Sequence, residues 1–259
     1  MSLDLAADLD FAHTLADAAD AFTLPHFNAR SFTVSLKSNQ TEVTEIDRGT
    51  EEAIVRRIAD ERPHHAILGE EHGSRGDAGS EWRWVIDPID GTSNFVRGVP
   101  VWATLVALVH RDAGPVVGVV SAPSLGRRWW SSTDVGAFAN GHPIRVASTA
   151  SLGEAQVSVT FNAGWERLGL TSNLVRLQQN AYRARGFGDF WQHMLVAEGA
   201  IDVAVDAIGL APYDVAAVQA VVEAAGGRLT DRHGVRDFER DSAVSTNGIL
   251  HDEVIGLLR

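Results

Sequence analysis

Residues 84–95 (W-V-I-D-P-I-D-G-T-S-N-F) constrain the fold of this 259-residue chain more than any other segment. The segment opens with an apolar run that predicts a buried β-strand. That strand brings Asp87 to its carboxyl end, and Pro88, which lacks an N–H, predicts that strand pairing stops there and a turn begins. Asp90 follows, and residues 91–92 (Gly-Thr) can open a helix whose free N–H groups attract an anion. The segment therefore predicts a strand, a sharp turn and a helix start at one edge of a sheet.

The two aspartates of this turn create an electrostatic conflict. Asp87 and Asp90 would repel each other and also any phosphate held at the helix start. A divalent cation between them resolves the conflict, and ligation by oxygen atoms alone suits Mg²⁺ or Mn²⁺. The alternative is that both aspartates merely cap a turn, as this residue type commonly does.

Two further acidic positions favour the metal hypothesis. Glu70 and Glu71 follow a short predicted strand at residues 67–68, where the ordinary interpretation is exposed loop charge. Asp214 begins a predicted helix, where the ordinary interpretation is N-capping. Each ordinary interpretation is reasonable alone, but their joint occurrence points to one acidic site.

Composition narrows the possible functions. The formal net charge of -12 argues against a nucleic-acid or anionic-membrane binder, because such binding needs clustered Lys and Arg. Cysteine is absent, which excludes disulfides, thiolate zinc sites and cysteine nucleophiles. The N-terminus lacks a secretory pattern, and the longest apolar stretch, residues 101–109, is too short to span a bilayer. We therefore expect a soluble cytoplasmic protein with no nucleic-acid or membrane partner.

The rest of the chain predicts helices and sheets in stacked layers, an α+β fold. Apolar spacing predicts a first helix over residues 3–22 that ends before Pro25. A second helix starts at Asp47, with Glu51 in an early turn where its charge favours the helix dipole. A meander of three strands covers residues 102–131, and strands then alternate with helices. The chain is predicted to form one compact unit, residues 1–259, with approximate halves at residues 1–145 and 146–259.

Four blocks of the sequence resemble signature blocks of the inositol monophosphatase superfamily. In chain order they are V-T-E-I-D at 43–47, G-E-E at 69–71, the 84–95 segment and Y-D-V-A-A at 213–217. The resemblance covers nearly the whole chain. It departs from the family pattern at Tyr213, which usually is tryptophan, and this change removes no ligand.

The resemblance implies a layered α-β-α-β-α sandwich of the inositol monophosphatase/fructose-1,6-bisphosphatase type, normally dimeric. It also implies two or three Mg²⁺ ions per site, with Mn²⁺ as a possible substitute. The metal ligands that it implies are Glu70, Asp87 and the Ile89 carbonyl for one ion, Asp87, Asp90 and Asp214 for a second, and Glu70 with waters for a third. The catalytic residues that it implies are Asp47, Thr92 and Glu70, and the phosphate-binding N–H groups are those of Gly91, Thr92 and Ser93.

Phosphate monoester hydrolysis requires a barrier reduction on the order of 20 kcal/mol or more. Paired metal ions achieve this by lowering the pKa of bound water and neutralising the oxygens around phosphorus. The sequence therefore predicts direct attack by metal-activated water, without a phospho-enzyme. An aspartyl nucleophile at residues 8–10 (Asp-Leu-Asp) is disfavoured, because that motif lies within a predicted helix. The pair His64 and His65 is interpreted as solvated loop residues.

Further blocks resemble the actinobacterial histidinol-phosphatase type within this superfamily. They include V-R-G-V-P-V-W-A at 96–103, R-R-W-W at 127–130, G-D-F at 188–190 and S-T-N-G-I-L-H-D-E-V at 245–254. The resemblance implies histidinol phosphate as the substrate, a metabolite of histidine biosynthesis. Because this substrate carries an amine, Asp189 after Gly188 is the first candidate to bind it, and Asp206 is the second. Helix capping or surface charge is the alternative for both acids.

Several alternatives remain open at this point. The substrate could instead be an inositol phosphate, or a broad set of sugar phosphates and nucleotides. The chain could also serve mainly as an interaction protein with the same fold, although such a protein has no chemical reason to keep the complete acidic set. Lys37 either approaches the phosphate or an outer metal, or is a surface lysine. Residues 127–130 form either a recognition patch or a strand with one face in the core.

Overall fold

Helices and β-sheets alternate in five layers. The computed structural model describes residues 5–37 and 40–259, and the elements below are those of the described residues. The helices are α1 (Ala6–Ala29), α2 (Glu45–Glu61), α3 (Thr92–Arg97), α4 (Ala163–Arg167), α5 (Thr171–Asn180), α6 (Asp189–Ala197), α7 (Pro212–Ala224) and α8 (His251–Leu258). None of them is both long enough and apolar enough to cross a membrane.

The strands form a small hairpin and two larger sheets. The hairpin pairs β1 (Val34–Leu36) with β2 (Glu42–Thr44). The remaining strands are β3 (Ala66–Gly69), β4 (Gly73–Gly76), β5 (Trp82–Asp90), β6 (Ala103–His110), β7 (Gly114–Ala122), β8 (Arg127–Ser132), β9 (Gly136–Ala139), β10 (His142–Pro143), β11 (Gln156–Val159), β12 (Arg183–Arg185), β13 (Val203–Val205), β14 (Arg228–Thr230) and β15 (Val244–Thr246). The eight-stranded sheet has the order β10-β9-β8-β7-β6-β5-β3-β4, and the five-stranded sheet has the order β12-β11-β13-β15-β14.

Both sheets are covered by helices on their two faces. One face of the eight-stranded sheet packs on α1 and α2, where Leu15 and Ile54 contact the Trp84 cluster. Its other face packs on α6 and α7 through Phe190 and Val218. Helices α6 and α7 also contact the five-stranded sheet, whose far face is covered by α5 and α8. Strands β6 and β7 are buried along almost their entire length because they lie between two helical layers. The predicted α-β-α-β-α layering is confirmed.

The first helix continues through Pro25, and the expectation that it ends before this residue is wrong. Proline removes one helical hydrogen bond. The turn beyond it is nevertheless held by packing, because the Phe27 ring packs in a tilted geometry against Phe95 and Trp102, with ring centroids 5.4 and 5.3 Å apart. Residues 3 and 4 of the predicted helix lie outside the described residues. Tertiary contacts here outweigh a local helix-breaking signal.

Strand β5 likewise continues past Pro88, although the sequence predicted that it would stop there. Asp87 pairs with Leu105 and Asp90 pairs with Ala103, so β5 carries one residue more than β6 between these pairs. This is a β-bulge, a feature in which a strand tolerates proline. In a regular strand residues three apart point to opposite faces. The extra residue removes that constraint and lets Asp87 and Asp90 serve one site.

The parallel pairing of β3 with β5 brings the other acidic block to the same place. Gly69 is in register with Ile86, and the Glu70 N–H donates to the Ile86 carbonyl over 3.3 Å. Glu70 therefore follows β3 beside Asp87. Helix α7 begins on the opposite side of this edge and contributes Asp214 from its first turn.

Candidate active site

Three carboxylates meet at the end of β5. One oxygen from each of Asp87, Asp90 and Asp214 lies within 4.8 Å of the others. Asp87 is only 2% exposed. A backbone donor helps to orient each of them: the Asp87 carboxylate accepts the Ile89 N–H over 2.9 Å, that of Asp90 accepts the Phe190 N–H over 2.8 Å, and that of Asp214 accepts the Ala211 N–H over 2.7 Å. The structure thus brings together acids from two elements more than 120 residues apart.

The electrostatics of this cluster call for a cation. Burial raises the pKa of Asp87 well above its ordinary value, and its acidic neighbours raise it further. Burial also raises the pKa of Asp90 strongly, and it raises that of Asp214 to about 7. Several buried carboxyl groups can be ionised together only beside positive charge. Because all their donor atoms are oxygens, the residues fit Mg²⁺ or Mn²⁺.

Glu70 lies beside the cluster and is paired with Lys37. The Lys37 ammonium group is 2.7 Å from the Glu70 carboxylate and 2.6 Å from that of Glu71. The Lys37 side chain is 22% exposed, so the surface-lysine alternative does not describe it. Burial raises the pKa of Glu70, and the hydrogen bond from Lys37 opposes this effect. Lys37 therefore belongs to the acidic site as its local positive charge.

Thr92 and Asp47 are in contact, in the arrangement that the family resemblance implies. The Thr92 hydroxyl is 3.0 Å from the Asp47 carboxylate and 3.0 Å from the Ile89 carbonyl, and its single hydrogen can serve one of them at a time. Asp47 is fully buried, and its carboxylate also accepts the Thr44 N–H over 2.8 Å in a capping box at the start of α2. A buried helix start therefore fixes the acceptor for the Thr92 hydroxyl.

The turn after Asp90 requires glycine. Gly91 has φ +82°, and a Cβ at this position would lie 3.0 Å from the Val101 carbonyl oxygen and 3.5 Å from the Asp189 carboxylate. Both the left-handed backbone and the close approach favour glycine. The N–H groups of residues 91–93 consequently stand at the start of α3, beside the acidic cluster.

A cavity of about 650 Å³ opens onto these groups. Its lining includes every residue that the sequence predicted for metal or phosphate binding: Glu70, Asp87, Ile89, Asp90, Gly91, Thr92, Ser93 and Asp214. Lys37, Arg97 and Tyr213 also line it. Asp47, Gly188, Asp189 and Asp206 are not among the lining residues. These metal and phosphate assignments remain predictions, but the geometry gives all of them a common cavity.

Asp189 approaches the cavity from behind the glycine turn. It opens α6 with φ +48° after Gly188 (φ +78°), and its carboxylate accepts a hydrogen bond from the Asn94 amide over 2.9 Å. Burial, followed by the charge of Asp206, raises the pKa of Asp189 to about 6. This residue is therefore near the predicted phosphate site.

Asp206 is more deeply placed. It is 6% exposed, and both of its carboxylate oxygens are engaged: one accepts the Ala207 N–H over 2.7 Å and the other lies 3.0 Å from the His193 Nε2. Asp206 can thus act on a ligand mainly through its charge. His193 did not figure in the sequence predictions, because only the fold brings it to Asp206.

Glu51 is a second residue whose place the sequence did not reveal. Its side chain is fully buried and accepts N–H bonds from Glu71 (2.7 Å) and His72 (2.8 Å). A Cβ on Gly69 would lie 2.2 Å from a Glu51 oxygen. Glu51 therefore supports the loop that carries Glu70 rather than only favouring the helix dipole. The available signal was its position four residues after Asp47, on the same face of α2.

Three other motifs serve the scaffold. Residues 8–10 lie within α1, and the His65 ring accepts a hydrogen bond from the Trp84 indole over 3.1 Å. Residues 127–130 lie in β8, where Trp129 is buried and Arg127 pairs with Glu198. The alternative of a strand with one face in the core is thus the one that the structure shows.

Comparison with known proteins identifies the family. The family model described as "Inositol monophosphatase family" matches residues 4–259. The chain belongs to the inositol monophosphatase family. It is 43% identical to a histidinol-phosphatase of Streptomyces coelicolor, over 98% of each chain, and 45% identical to a histidinol-phosphatase of Mycobacterium tuberculosis, over 96% of each chain. The solved structure of a Thermotoga maritima IMPase superposes with a TM-score of 0.85 at 31% identity, over 97% of this chain and 96% of that one. The predicted resemblance and the assignment as a phosphatase of this family are confirmed.

Proposed function

We propose that this member of the inositol monophosphatase family hydrolyses histidinol phosphate in a Mg²⁺-dependent reaction. The observation that carries the choice of substrate is the position of the Asp189 carboxylate, which a Cβ on Gly91 would approach to 3.5 Å. A carboxylate beside the phosphate-binding turn suits a phosphate ester with a nearby amine. The high identity to proteins named histidinol-phosphatase supports the same choice.

The metal ions would be held by the acidic cluster. Glu70, Asp87 and the Ile89 carbonyl would bind one Mg²⁺, and Asp87, Asp90 and Asp214 a second; Glu70 would also contribute to a third. The 4.8 Å grouping of three carboxylate oxygens and their raised pKa values support this assignment. When bound, Mg²⁺ would lower the pKa of water and neutralise negative charge on the phosphoryl oxygens.

Residues of the chain would then position the reactants. The N–H groups of Gly91, Thr92 and Ser93 would hold the phosphate at the start of α3. The Thr92 hydroxyl, which lies 3.0 Å from the Asp47 carboxylate, would orient the attacking water, accept a proton from it and donate its own proton to Asp47. Glu70 would help to orient the same water. The expected route is direct attack on phosphorus, without a covalent enzyme intermediate.

The substrate amine explains the acids outside the cavity lining. In histidinol phosphate the amine sits on the carbon next to the one that carries the phosphate ester. A carboxylate that binds this amine must therefore lie close to the phosphate turn, as Asp189 does. Asp206, with both oxygens engaged, would add negative charge behind it, and Gly188 would allow the sharp backbone entry into α6. An inositol ring has no such cation.

A side-by-side assay tests the proposal. Purified protein in millimolar Mg²⁺ is given histidinol phosphate or inositol 1-phosphate, and released phosphate is measured. We expect kcat/KM for histidinol phosphate to be higher by about 100-fold or more, as for a site built to pair with a substrate group. Asp87→Asn, which keeps the shape of the site, is the inactive control. A preference for inositol phosphate would overturn the substrate assignment.

The proposal also covers the oligomeric state and the cellular location. We infer a homodimer, which the family resemblance supports, and a cytoplasmic location, which the acidic and cysteine-free composition supports. Light scattering on the purified chain would test the first, and fractionation of cells that produce it would test the second.

A further inference from the structure

A buried chain of hydrogen bonds lies behind Asp189 and has no part in the reaction steps above. It connects Ser245 on β15, His193 on α6 and Asp206 after β13. We propose that His193 is a positioning residue for substrate selectivity, which holds the Asp206 carboxylate toward Asp189 so that the two acids favour a cationic substrate. This inference rests on the proposed recognition of the substrate amine.

The contacts of His193 fix Asp206 from two sides. His193 is 2% exposed, with Nε2 3.0 Å from the Asp206 carboxylate and Nδ1 2.7 Å from the Ser245 hydroxyl. Because an ionised carboxylate only accepts, the hydrogen between them belongs to Nε2. The Ser245 hydroxyl lies within hydrogen-bond distance of Nδ1, so both ring nitrogens have a partner. With the Ala207 N–H on its other oxygen, Asp206 has one fixed orientation.

Helix α6 sets this arrangement beside the substrate site. Asp189 and His193 are four residues apart and therefore lie on the same face of the helix. The charge of Asp206 reaches Asp189 and contributes to the raised pKa of that residue. The first turn of α6 is in turn tied to Asp90 by the Phe190 N–H. Helix α6 thus fixes the position of both acids relative to the predicted phosphate site.

A fixed pair of carboxylates gives selectivity for a cation. An ammonium group beside Asp189 relieves the repulsion between the two acids, whereas a phosphate ester without an amine gains nothing from them. If the His193 donor were lost, Asp206 could turn away and the negative potential at Asp189 would fall.

The order Ser245, His193 and Asp206 superficially matches a nucleophilic triad. Ser245 is fully buried, in a strand that has neighbours on both sides. A substrate cannot reach its hydroxyl. The chain of bonds therefore orients a carboxylate rather than activating a nucleophile.

The test compares two substrates, histidinol phosphate and its analogue without the amine. The measured quantity is the ratio of their kcat/KM values. We expect His193→Phe to lower this ratio about tenfold, which corresponds to the loss of one hydrogen bond. His193→Gln, whose amide can still donate to Asp206, should retain most of the ratio. Asp206→Asn should lower the ratio as His193→Phe does, and the double variant should show no further loss.

His251 provides the matched control. It is also fully buried and bonded to two hydroxyls, those of Thr230 (2.8 Å) and Thr246 (3.0 Å), but it lies on α8, on the other face of the five-stranded sheet from α6. His251→Phe should leave the ratio unchanged. Melting temperatures identify any variant that fails to fold, and Asp206→Asn then carries the test. An equal loss on both substrates, or an unchanged ratio in His193→Phe and Asp206→Asn, would overturn the inference alone. A wild-type ratio near one would overturn the proposed function as well.

Discussion

Replacement of Asp189 by asparagine should have opposite effects on the stability of the fold and on the activity toward histidinol phosphate. Burial and the charge of Asp206 raise the pKa of Asp189 from 3.8 to about 6 in the folded chain. The folded state therefore binds this proton more tightly than the unfolded state does. As the pH rises from about 4 to about 6 the unfolded chain loses the proton first, so this group reduces stability over that interval.

The shift sets the size of the effect. At 1.36 kcal/mol per pKa unit, the raised pKa of Asp189 costs about 3 kcal/mol of stability at pH 7.5 and about 1 kcal/mol at pH 4.5. Asparagine has no such cost and can still accept the Asn94 amide hydrogen bond. Asp189→Asn should therefore stabilise the chain by about 3 kcal/mol at pH 7.5 and by about 1 kcal/mol at pH 4.5. Meanwhile kcat/KM for histidinol phosphate should fall by about 10- to 100-fold, the value of a hydrogen bond to a charged group.

Urea unfolding in chelator at the two pH values measures the stability difference between wild type and variant. The difference cancels the titration of carboxyl groups that do not interact with Asp189. Asp112→Asn, in the exposed turn between β6 and β7, is the control and should change stability by less than about 0.5 kcal/mol at either pH. A variant that is less stable than wild type at pH 7.5, or a gain that does not shrink at pH 4.5, would refute the reasoning.

Three further predictions concern the acidic site. Millimolar Mg²⁺ should raise the melting temperature over that in chelator, because a ligand at 100 times its Kd adds about 2.7 kcal/mol; equal values would count against the metal site. Gly69→Ala, whose Cβ would meet Glu51 at 2.2 Å, should cost about 1–3 kcal/mol in urea unfolding and weaken Mg²⁺ binding by calorimetry, whereas Gly256→Ala, with open space around it, should do neither. A single turnover in ¹⁸O-labelled water should place the label in the released phosphate, and trapping of an acyl-phosphate on the protein would contradict direct attack.

Much of the fold could be predicted from local pattern. The meander over residues 102–131 appears as β6, β7 and β8, because continuous apolar runs separated by turn signals have few alternatives. The errors arose where tertiary contacts overrule a local signal. Pro25 stays in a helix whose end packs on Trp102, and Pro88 stays in a strand because a bulge accommodates it. In each case the partner lies far from the proline in the sequence: Trp102 for the helix end and β6 for the bulged strand.

The acidic residues could be found because metal chemistry demands a recognisable residue type at strand and helix ends. Their supports could not be found so readily. Glu51 contacts the 71–72 backbone, 20 residues away, and His193 contacts Ser245, 52 residues away. Such partners depend on how elements pack and not on their own sequence neighbourhood. The only sequence signal for Glu51 and His193 was a polar residue on a helix face that is otherwise expected to be buried.

The site uses the same device on two helices. On α2, Asp47 accepts from Thr92 while Glu51, one turn later, accepts from the loop that carries Glu70. On α6, Asp189 accepts from Asn94 while His193, one turn later, contacts Asp206.

In both helices two polar side chains four residues apart connect one rigid element to two separate segments. A helix fixes the spacing of such a pair, so each pair sets the distance between the segments that it holds. On this argument α2 sets the position of the loop that carries Glu70, the predicted metal loop, relative to the predicted phosphate-binding turn at residues 91–93. Helix α6 sets the positions of Asp189 and Asp206 relative to the same turn. Changes in substrate preference should therefore arise more readily on α6, which contacts the substrate side, than on α2, where a substitution disturbs the predicted metal loop for every substrate.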